Sequence, residues 1–392
     1  MRYALVLAVG TALVTTGLGA DALAQEKKGA PVAAAADSSI PPAGWKRPKN
    51  AMGQPDLAGY WSNATLTPLT RNRRISDKAS LTATEAKAFE KLWAEALAET
   101  DKPTDQDEST EKVQAALASS KLVEIRPDFI AAGGDTGGYN TFWIDPGTHL
   151  VEINGEYRTS ILTTPNGMPP ARKAGAPAPR GGGYRDIYDS YETRSYGERC
   201  ISGFGRNSGP PMLPNGYYNN NYQIVQTPDS VVIEVEMIHD ARIVRLNSKH
   251  RTDGLRPAMG DSIGWYEGDT LVVETTNLPE WQQFMGSWKN LKVTERFTRL
   301  SPTKILYTFQ LEDPELWDKP WGGEYTFNSL NGRTYEYACH EGNYALPGIL
   351  AGARVKEKEE AEAKAKAAAD AAAAAAKAAA PTGKAKARSG AD

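Results

Sequence analysis

Residues 221–246 read NYQIVQTPDSVVIEVEMIHDARIVRL, and sequence of this kind, rich in β-branched and aromatic residues, continues to Asn328. Turn residues interrupt it at Pro228-Asp229, Gly268-Asp269 and Ser301-Pro302, as expected for hairpin connections. The predicted strands span residues 222–226, 231–237, 241–246, 270–275, 292–299 and 305–311.

This succession of strands predicts a mainly β fold in which an antiparallel meander forms a barrel or half-barrel. An open sheet would leave backbone donors and acceptors unpaired at its edges, and closure removes those edges. We therefore expect an enclosed interior, with one or two helices at the periphery. Asn154-Gly155 predicts a further tight turn, which would join two short strands outside the meander.

The strongest predicted helix spans residues 81–99. Thr82 and Glu85 form a capping box at its start. Apolar residues then recur at helical spacing and should pack against the barrel. These residues are Phe89, Leu92, Trp93, Ala96 and Leu97. A second, weaker helix is predicted over residues 110–119.

The first 24 residues have the three-part pattern of a secretory signal peptide. A basic start at Met1-Arg2 is followed by an apolar stretch over residues 3–18 and a small-x-small cleavage site at Ala22-Leu23-Ala24. The alternative is an uncleaved anchor, but the apolar stretch is shorter than the roughly 20 residues that span a bilayer. We expect a periplasmic or secreted protein without a membrane span.

The rest of the chain divides by composition. Residues 25–44 are predicted to be a flexible leader, and residues 45–354 a single β-rich domain with a helical insertion near 81–120. Residues 355–392 form a tail rich in Ala, Lys and Glu, for which we expect a solvated, fraying helix at most. The tail either keeps the chain soluble or contacts polymers of the cell envelope.

The chain contains two cysteines, Cys200 and Cys339. In an exported protein an even count favours a disulfide over free thiols. The alternative is a reactive thiol of Cys339 beside His340, but neighbouring residues on a strand point to opposite faces.

The formal net charge of -3 provides no long-range field that would attract nucleic acid. The folded part also lacks a stripe of Lys and Arg interleaved with aromatic residues. We therefore expect a small-molecule ligand rather than nucleic acid.

The first candidate for chemistry is the segment 236–242, EMIHDAR, at the junction of two predicted strands. Strict alternation would place His239 on the apolar face with Val235 and Met237, where an imidazole needs a hydrogen-bond partner. Asp240 and Arg242 could supply that partner or a catalytic group. A buried structural histidine beside a salt-bridged turn is the alternative.

The second candidate is the segment 335–344, YEYACHEGNY, which is predicted to be a strand that ends at Gly342. His340 and Glu341 at that end could present an acid/base pair to the mouth of a pocket. The alternative is a pinned strand end whose polar groups bind neighbouring backbone.

The third candidate is the segment 209–222, GPPMLPNGYYNNNY, which combines stiff prolines, asparagine amides and aromatic rings. Asn219, Asn220 and Tyr222 would suit a hydroxylated or carbonyl-bearing ligand, because amides both donate and accept hydrogen bonds. An ordered loop that satisfies its own backbone is the alternative.

Several familiar sites are excluded because their motifs do not occur in the sequence. It contains no H-E-x-x-H, C-x-x-C or P-loop motif. No cofactor is predicted. The weaker alternative is a divalent metal held by His239, His340 and Glu341, which make a two-histidine, one-carboxylate ligand set. The other histidines, His149 and His250, fall in predicted exposed turns.

Five segments together resemble a family of exported bacterial proteins of uncharacterised activity. They are residues 219–224, 236–242, 260–262, 268–275 and 337–344, and the likeness extends over residues 55–354. Separately, residues 263–273 are similar to hairpins of lipocalin-like barrels. Neither resemblance implies an activity, since fold analogy alone does not define function.

The leading hypothesis is an exported β-barrel that binds a small amphipathic or aromatic ligand. Trp265, Tyr222 and Phe297 would line the pocket, while His239, Arg242 and His340 would orient the ligand. The first alternative is a periplasmic lyase, isomerase or hydrolase. Its base would be His239 and its oxyanion-stabilising group Arg242, while His340 and Glu341 would relay the proton. The second alternative is a structural protein of the cell envelope.

Overall fold

The structure is a computed structural model of the chain. It describes residues 38–73, 75–100, 144–176, 188, 190–203, 206, 208–216 and 218–379. The predicted signal peptide, the helix predicted over residues 110–119 and the last part of the tail lie outside these residues, and so does most of the leader.

The described chain contains a closed barrel and a small separate sheet. The barrel has nine strands, in the order β1-β12-β11-β10-β9-β8-β7-β6-β5, and β5 pairs again with β1. The prediction of a mainly β barrel is therefore confirmed. The barrel strands are β1 Gly59–Ser62, β5 Asn221–Gln226, β6 Ser230–Val235, β7 Ala241–Leu246, β8 Asp261–Glu267, β9 Thr270–Thr276, β10 Lys292–Ser301, β11 Lys304–Glu312 and β12 Trp321–Ser329.

One pair in the barrel departs from the predicted antiparallel meander. Strands β7 and β8 run parallel, with Val244 opposite Ser262. A parallel pair needs a long connection, and residues 247–260 supply it. His250 in this connection lies between two carboxylates, with Nδ1 2.9 Å from Asp261 and Nε2 3.2 Å from Glu274. The prediction that His250 lies in an exposed turn is therefore wrong.

Alternation along the strands fills the interior of the barrel. In β10, Val293, Glu295 and Phe297 face inward and are fully buried. Tyr307 packs in the same core, with its ring 5.1 Å from Phe297 and 4.9 Å from Tyr325 between centroids. Aromatic side chains thus occupy much of the enclosed space that the sequence predicts.

The two ends of the barrel are covered by different segments. Residues 54–57 cover the end at which β5 finishes, where Leu57 is fully buried; we call this the closed end. Residues 208–214, which we call the mouth loop, cover the opposite end, at which β7 begins, and their Met212 is also fully buried.

Helix α1, Ala83–Thr100, begins at the predicted capping box. Thr82 N donates to Glu85 Oε2 at 2.9 Å, and Glu85 N donates to Thr82 Oγ1 at 3.3 Å. The apolar stripe of the helix was expected to pack against the barrel, but it does not join the barrel core. It packs in a separate apolar cluster that includes Leu66, Leu81 and Leu150.

The small sheet provides the partner of α1. It contains β2 Ser80–Leu81, β3 Glu152–Ile153 and β4 Glu156–Arg158, in the order β2-β4-β3. The turn between β3 and β4 is the predicted Asn154-Gly155 pair, whose φ angles of 54° and 82° match a tight hairpin turn.

The disulfide between Cys200 and Cys339 is present, with 5.8 Å between the Cα atoms. This confirms the predicted pairing and leaves no thiol for the Cys339 and His340 alternative. Residues 335–339 do not form the predicted strand. They cross the mouth end of the barrel as an extended segment; we call residues 331–344 the strap.

Helix α2, Ala345–Ala379, follows the strap and begins ten positions before the tail predicted from residue 355. From residue 354 onwards its described side chains are exposed, which agrees with a solvated helix. Within the described residues, no helix combines the length and apolar character required to traverse a bilayer.

Candidate functional site in the barrel interior

A buried ion pair crosses the barrel interior between β7 and β10. Arg242 donates from Nη1 to Glu295 Oε2 at 2.5 Å and from Nη2 to Oε1 at 3.0 Å, and the two side chains are 2% and 0% exposed. Burial alone would lower the pKa of Arg242, but the charge and hydrogen bonds of Glu295 outweigh burial and raise it. Arg242 is therefore charged inside the protein, where it is paired with Glu295.

Tyr307 on β11 extends this pair. Its hydroxyl donates to Glu295 Oε1 at 2.7 Å. Burial raises the pKa of Tyr307 well above its ordinary value, and the negative charge of Glu295 raises it further. Tyr307 is thus a neutral phenol at physiological pH.

Asn63, which follows β1, links two more tyrosines. Its Nδ2 donates to Tyr222 Oη at 3.0 Å and to Tyr325 Oη at 3.2 Å, and the residue is fully buried. The ion pair, Tyr307 and this group form one polar cluster, which we call the interior network. Its members are Asn63, Tyr222, Arg242, Glu295, Tyr307 and Tyr325.

The mouth loop binds the interior network through a single residue. Met212 N donates to Tyr307 Oη at 2.9 Å, and Tyr325 Oη donates to Met212 O at 3.1 Å. The local sequence suits this close approach: Gly209 has φ 68°, and a Cβ there would lie 2.7 Å from Met212 N. Pro210 and Pro211 lack the N–H groups that burial would otherwise leave to be satisfied.

The loop does not satisfy every polar atom of the interior network. Asn63 Oδ1 and Arg242 Nε are buried without a hydrogen-bond partner in the described chain. An unsatisfied buried polar group costs about 1–3 kcal/mol. A molecule that bonds to these atoms would recover that free energy.

Arg206 lies at the base of the mouth loop and near the interior network. Its Nη1 donates to Gln282 O at 3.0 Å and Gln283 O at 3.1 Å, and its Nη2 donates to Pro210 O. Its Nε is buried without a partner, and its guanidinium lies 5.0 Å from the Phe284 ring centroid. In the described chain, therefore, Arg206 bonds only to neutral groups.

Electrostatics distinguish Arg206 from Arg242. Burial lowers the pKa of Arg206 to about 10; Tyr307 and Glu295 oppose this effect, and the charge of Arg242 adds to it. Arg206 is still protonated at neutral pH. Two guanidinium groups thus lie near a single carboxylate, Glu295.

The residues predicted from sequence divide between the interior and the surface. Arg242, Tyr222 and Phe297 lie inside the barrel, all buried. Trp265, which was expected to line the pocket, lies on the outer face of β8, partly exposed, and its Nε1 donates to Glu267 at 2.8 Å. It does not line the interior.

His239 is exposed, and the predicted alternation that put it on the apolar face is wrong. Strand β6 ends at Val235, and a turn of 3-10 helix over Met237–His239 follows. Ile238 and His239 have φ angles of 61° and 54°, in the left-handed region that β-branched residues seldom adopt. The imidazole Nε2 accepts a hydrogen bond from Tyr337 N at 3.0 Å.

Glu236 joins all three candidate segments, although it was not among the predicted site residues. This buried carboxylate accepts hydrogen bonds from Asn219 Nδ2 at 2.8 Å and Asn221 Nδ2 at 3.3 Å. It also accepts one from Tyr335 N of the strap at 2.9 Å. These bonds hold the strap on the barrel and the turn at Ile238 in place.

Two other predicted residues bond to neighbouring loops. Asp240 Oδ2 accepts from Ser208 Oγ at 2.9 Å, and burial raises the pKa of Asp240 although Ser208 and His239 oppose it. Asn220 is buried, donates to Asp145 O at 2.9 Å and accepts from Asn215 N at 2.8 Å. Both residues fix the chain around the mouth end.

His340 and Glu341 are exposed in the turn that follows the disulfide. They therefore do not converge with Arg242, which is buried inside the barrel. Among the described residues, no group of three or more His, Cys, Asp or Glu side chains is arranged to hold a metal ion. The metal alternative stays a prediction.

A cleft of about 340 Å³ lies beside the disulfide, between the strap and the first turns of α2. Leu346 and Ile349 contribute apolar surface to it. Asn343 at its edge is already engaged, since Nδ2 donates to Glu198 O at 2.8 Å and Oδ1 accepts from Leu346 N at 3.3 Å. The cleft thus offers little polar recognition.

Sequence reasoning missed five residues of the site: Asn63, Arg206, Glu295, Tyr307 and Tyr325. For Glu295 a signal existed, because alternation places this carboxylate on the inward face between Val293 and Phe297. A charge at such a position needs a buried partner.

No family model, curated protein or solved structure matches this chain. The resemblance to exported bacterial proteins and the hairpin likeness to lipocalin-like barrels therefore stay predictions.

Proposed function

We propose that this protein is an exported barrel that binds a small amphipathic or aromatic molecule at the interior network. The observation that carries the proposal is the pair of buried, unpartnered atoms Asn63 Oδ1 and Arg242 Nε. Ligand sites are typically apolar enclosures with a few convergent polar groups. The barrel combines aromatic walls with such groups, and the disulfide is compatible with export.

In this proposal the mouth loop occupies the site until a ligand displaces it. Met212 offers one N–H and one carbonyl to Tyr307 and Tyr325, as a bound ligand would. Its side chain and that of Leu213 fill apolar space that a ligand body would take. If the site is open in only a fraction of the molecules, the apparent affinity is the affinity of the open form multiplied by that fraction.

Binding is preferred over catalysis because of where the predicted catalytic groups lie. Arg242 is paired with Glu295 inside the barrel, whereas His239, His340 and Glu341 are exposed. An acid/base mechanism would need these groups within hydrogen-bonding reach of one substrate. A purely structural role would leave the unsatisfied interior atoms unexplained.

The test is a thermal-shift screen of the mature chain against small aromatic and amphipathic compounds, followed by calorimetric titration. Compounds that bind the folded state raise the melting temperature. We then expect Met212→Ala to bind the same compounds several-fold more tightly, because the truncated loop competes less well. Met168→Ala, at an exposed methionine, is the matched control and should leave affinity unchanged.

Two results would contradict the proposal. The first is that no compound of any class binds either the wild type or Met212→Ala. The second is that neither Met212→Ala nor Tyr325→Phe changes the affinity for a compound that binds. Such a compound would bind outside the interior network.

A further inference from the structure

Two guanidinium groups lie near one carboxylate beneath the mouth loop. Arg242 and Arg206 contribute two guanidinium groups, and Glu295 contributes the carboxylate that pairs with Arg242. Arg206 lies close enough to both for their charges to act on it. One cation at the mouth end is therefore left without a counter-charge among the described residues.

The two arginines of the described chain that are buried almost completely are paired with carboxylates, whereas Arg206 is half-buried and has no such partner among the described residues. Arg242 is bound to Glu295, and Arg194, 4% exposed, is bound to Glu198 at 2.5 Å. Arg206 instead donates to three backbone carbonyls and leaves its buried Nε unpartnered. A charged group buried among neutral partners is costly unless an opposite charge joins it.

Arg206 also holds the mouth loop closed. Its backbone carbonyl accepts from Gly209 N at 3.2 Å and Leu213 N at 2.9 Å, and its Nη2 donates to Pro210 O. An anion that takes over Nη2 and the free Nε must replace the Pro210 carbonyl. Hydrogen bonds from a guanidinium to a carboxylate are roughly twice as strong as those to a neutral acceptor. Anion binding at Arg206 would therefore remove one of the hydrogen bonds that hold the mouth loop in place.

We infer that the molecule bound in the barrel carries a carboxylate, which pairs with the guanidinium of Arg206 in place of the Pro210 carbonyl. This inference rests on the proposed function. The apolar body of the ligand replaces Met212 and Leu213, and the carboxylate stays at the mouth end. The ligand class is an aromatic or aliphatic monocarboxylate.

The test compares carboxylates with amides of nearly the same shape. The probes are cinnamate with cinnamamide and decanoate with decanamide, titrated calorimetrically into the mature chain. We expect each carboxylate that binds to do so about tenfold more tightly than its amide, since one charged hydrogen-bonded contact is worth roughly that factor. The preference should weaken as salt is added.

Variants of Arg206 separate charge recognition from loop release. Arg206→Gln removes the charge and loosens the loop, so amide binding is retained or improved while the preference for the carboxylate disappears. Arg206→Lys keeps the charge and should keep part of the preference. Arg333→Gln, at an exposed position of the strap, is the matched control and should bind as the wild type does.

The outcomes distinguish this inference from the proposed function. Equal binding of carboxylate and amide, or a preference that survives Arg206→Gln, overturns the carboxylate assignment and leaves interior binding in place. The assignment is also overturned if neutral compounds bind and neither carboxylate does. If no compound of any class binds, the proposed function and the inference are both overturned.

Discussion

The two ends of the barrel are closed in different ways. At the closed end, Gln226 accepts from Leu57 N at 2.8 Å and donates to Pro55 O at 2.9 Å and Tyr266 Oη at 2.8 Å. Neutral groups there satisfy one another. At the mouth end, the closure leaves Asn63 Oδ1 and Arg206 Nε without partners.

This difference separates a structural closure from a replaceable one. A segment that completes the hydrogen bonding of its partners gains nothing from displacement. A segment that leaves buried polar atoms and a cation unsatisfied can be displaced by a molecule that satisfies them. The mouth end therefore has the energetic character of a binding site, and the closed end does not.

The largest expected effect comes from breaking the ion pair beneath the mouth loop. Glu295→Gln should lower the free energy of unfolding by about 3–5 kcal/mol, because Arg242 is left as an uncompensated buried charge. Urea denaturation measures this loss. The double variant Arg242→Met with Glu295→Leu should recover most of it, since both charges are then absent. A loss below about 1 kcal/mol, typical of an exposed pair, would contradict the prediction.

The second prediction compares one apolar residue from each end. Leu57→Ala and Met212→Ala should each cost about 2–5 kcal/mol, because both side chains are fully buried. Only Met212→Ala should also increase ligand affinity. Denaturation and calorimetry of the two variants measure stability and binding separately. If both variants changed affinity alike, the two ends would not differ in function.

A smaller effect is expected from Tyr325→Phe, which removes the hydrogen bond to Met212 O. The net loss should be about 0.5–1.5 kcal/mol. Amide hydrogen exchange should increase in the mouth loop and stay unchanged in residues 54–57. Equal increases at both ends would show that Tyr325 stabilises the whole barrel rather than the loop.

The smallest effect is a pH dependence of the connection between β7 and β8. Burial would raise the pKa of Asp261 at the start of β8, but hydrogen bonds from Arg251 N, His250 and Arg245 outweigh burial and lower it. A lowered pKa contributes stability above the unfolded value of about 4 and loses it as the pH falls through the folded value. Hydrogen exchange of residues 247–261 should rise as the pH falls, because the bonds of Asp261 to Arg245, His250 and Arg251 N are then lost. The variant Asp261→Asn should abolish this acid response.

Local patterns in the sequence predicted much of the barrel. Residues 241–246 alternate inward and outward as strand β7 does, with the bounds that the sequence predicts. The strand β12 was missing from the prediction, because Gly322 and Gly323 are poor strand formers. These glycines are required by contacts with residues distant in the sequence. A Cβ at Gly322 would lie 1.8 Å from Phe309 O, and one at Gly323 would lie 2.6 Å from Ile161 O.

The candidate site was predicted less well, because its bonds join residues far apart in the chain. Arg242 and Tyr222 were singled out within conspicuous segments, yet their partners Glu295 and Asn63 lie in distant parts of the sequence. The segment 236–239 looked like strand, and the hydrogen bonds of Glu236 to the strap hold it as a turn instead. Arg206 carried no local signal, since its importance depends on which carbonyls surround it after folding.

The long exposed helix α2 has a geometric consequence. Its 35 residues rise by about 1.5 Å each, which gives a rod of roughly 50 Å. Such a rod acts as a molecular spacer: a group attached near Ala379 would be held roughly 50 Å from the start of the helix.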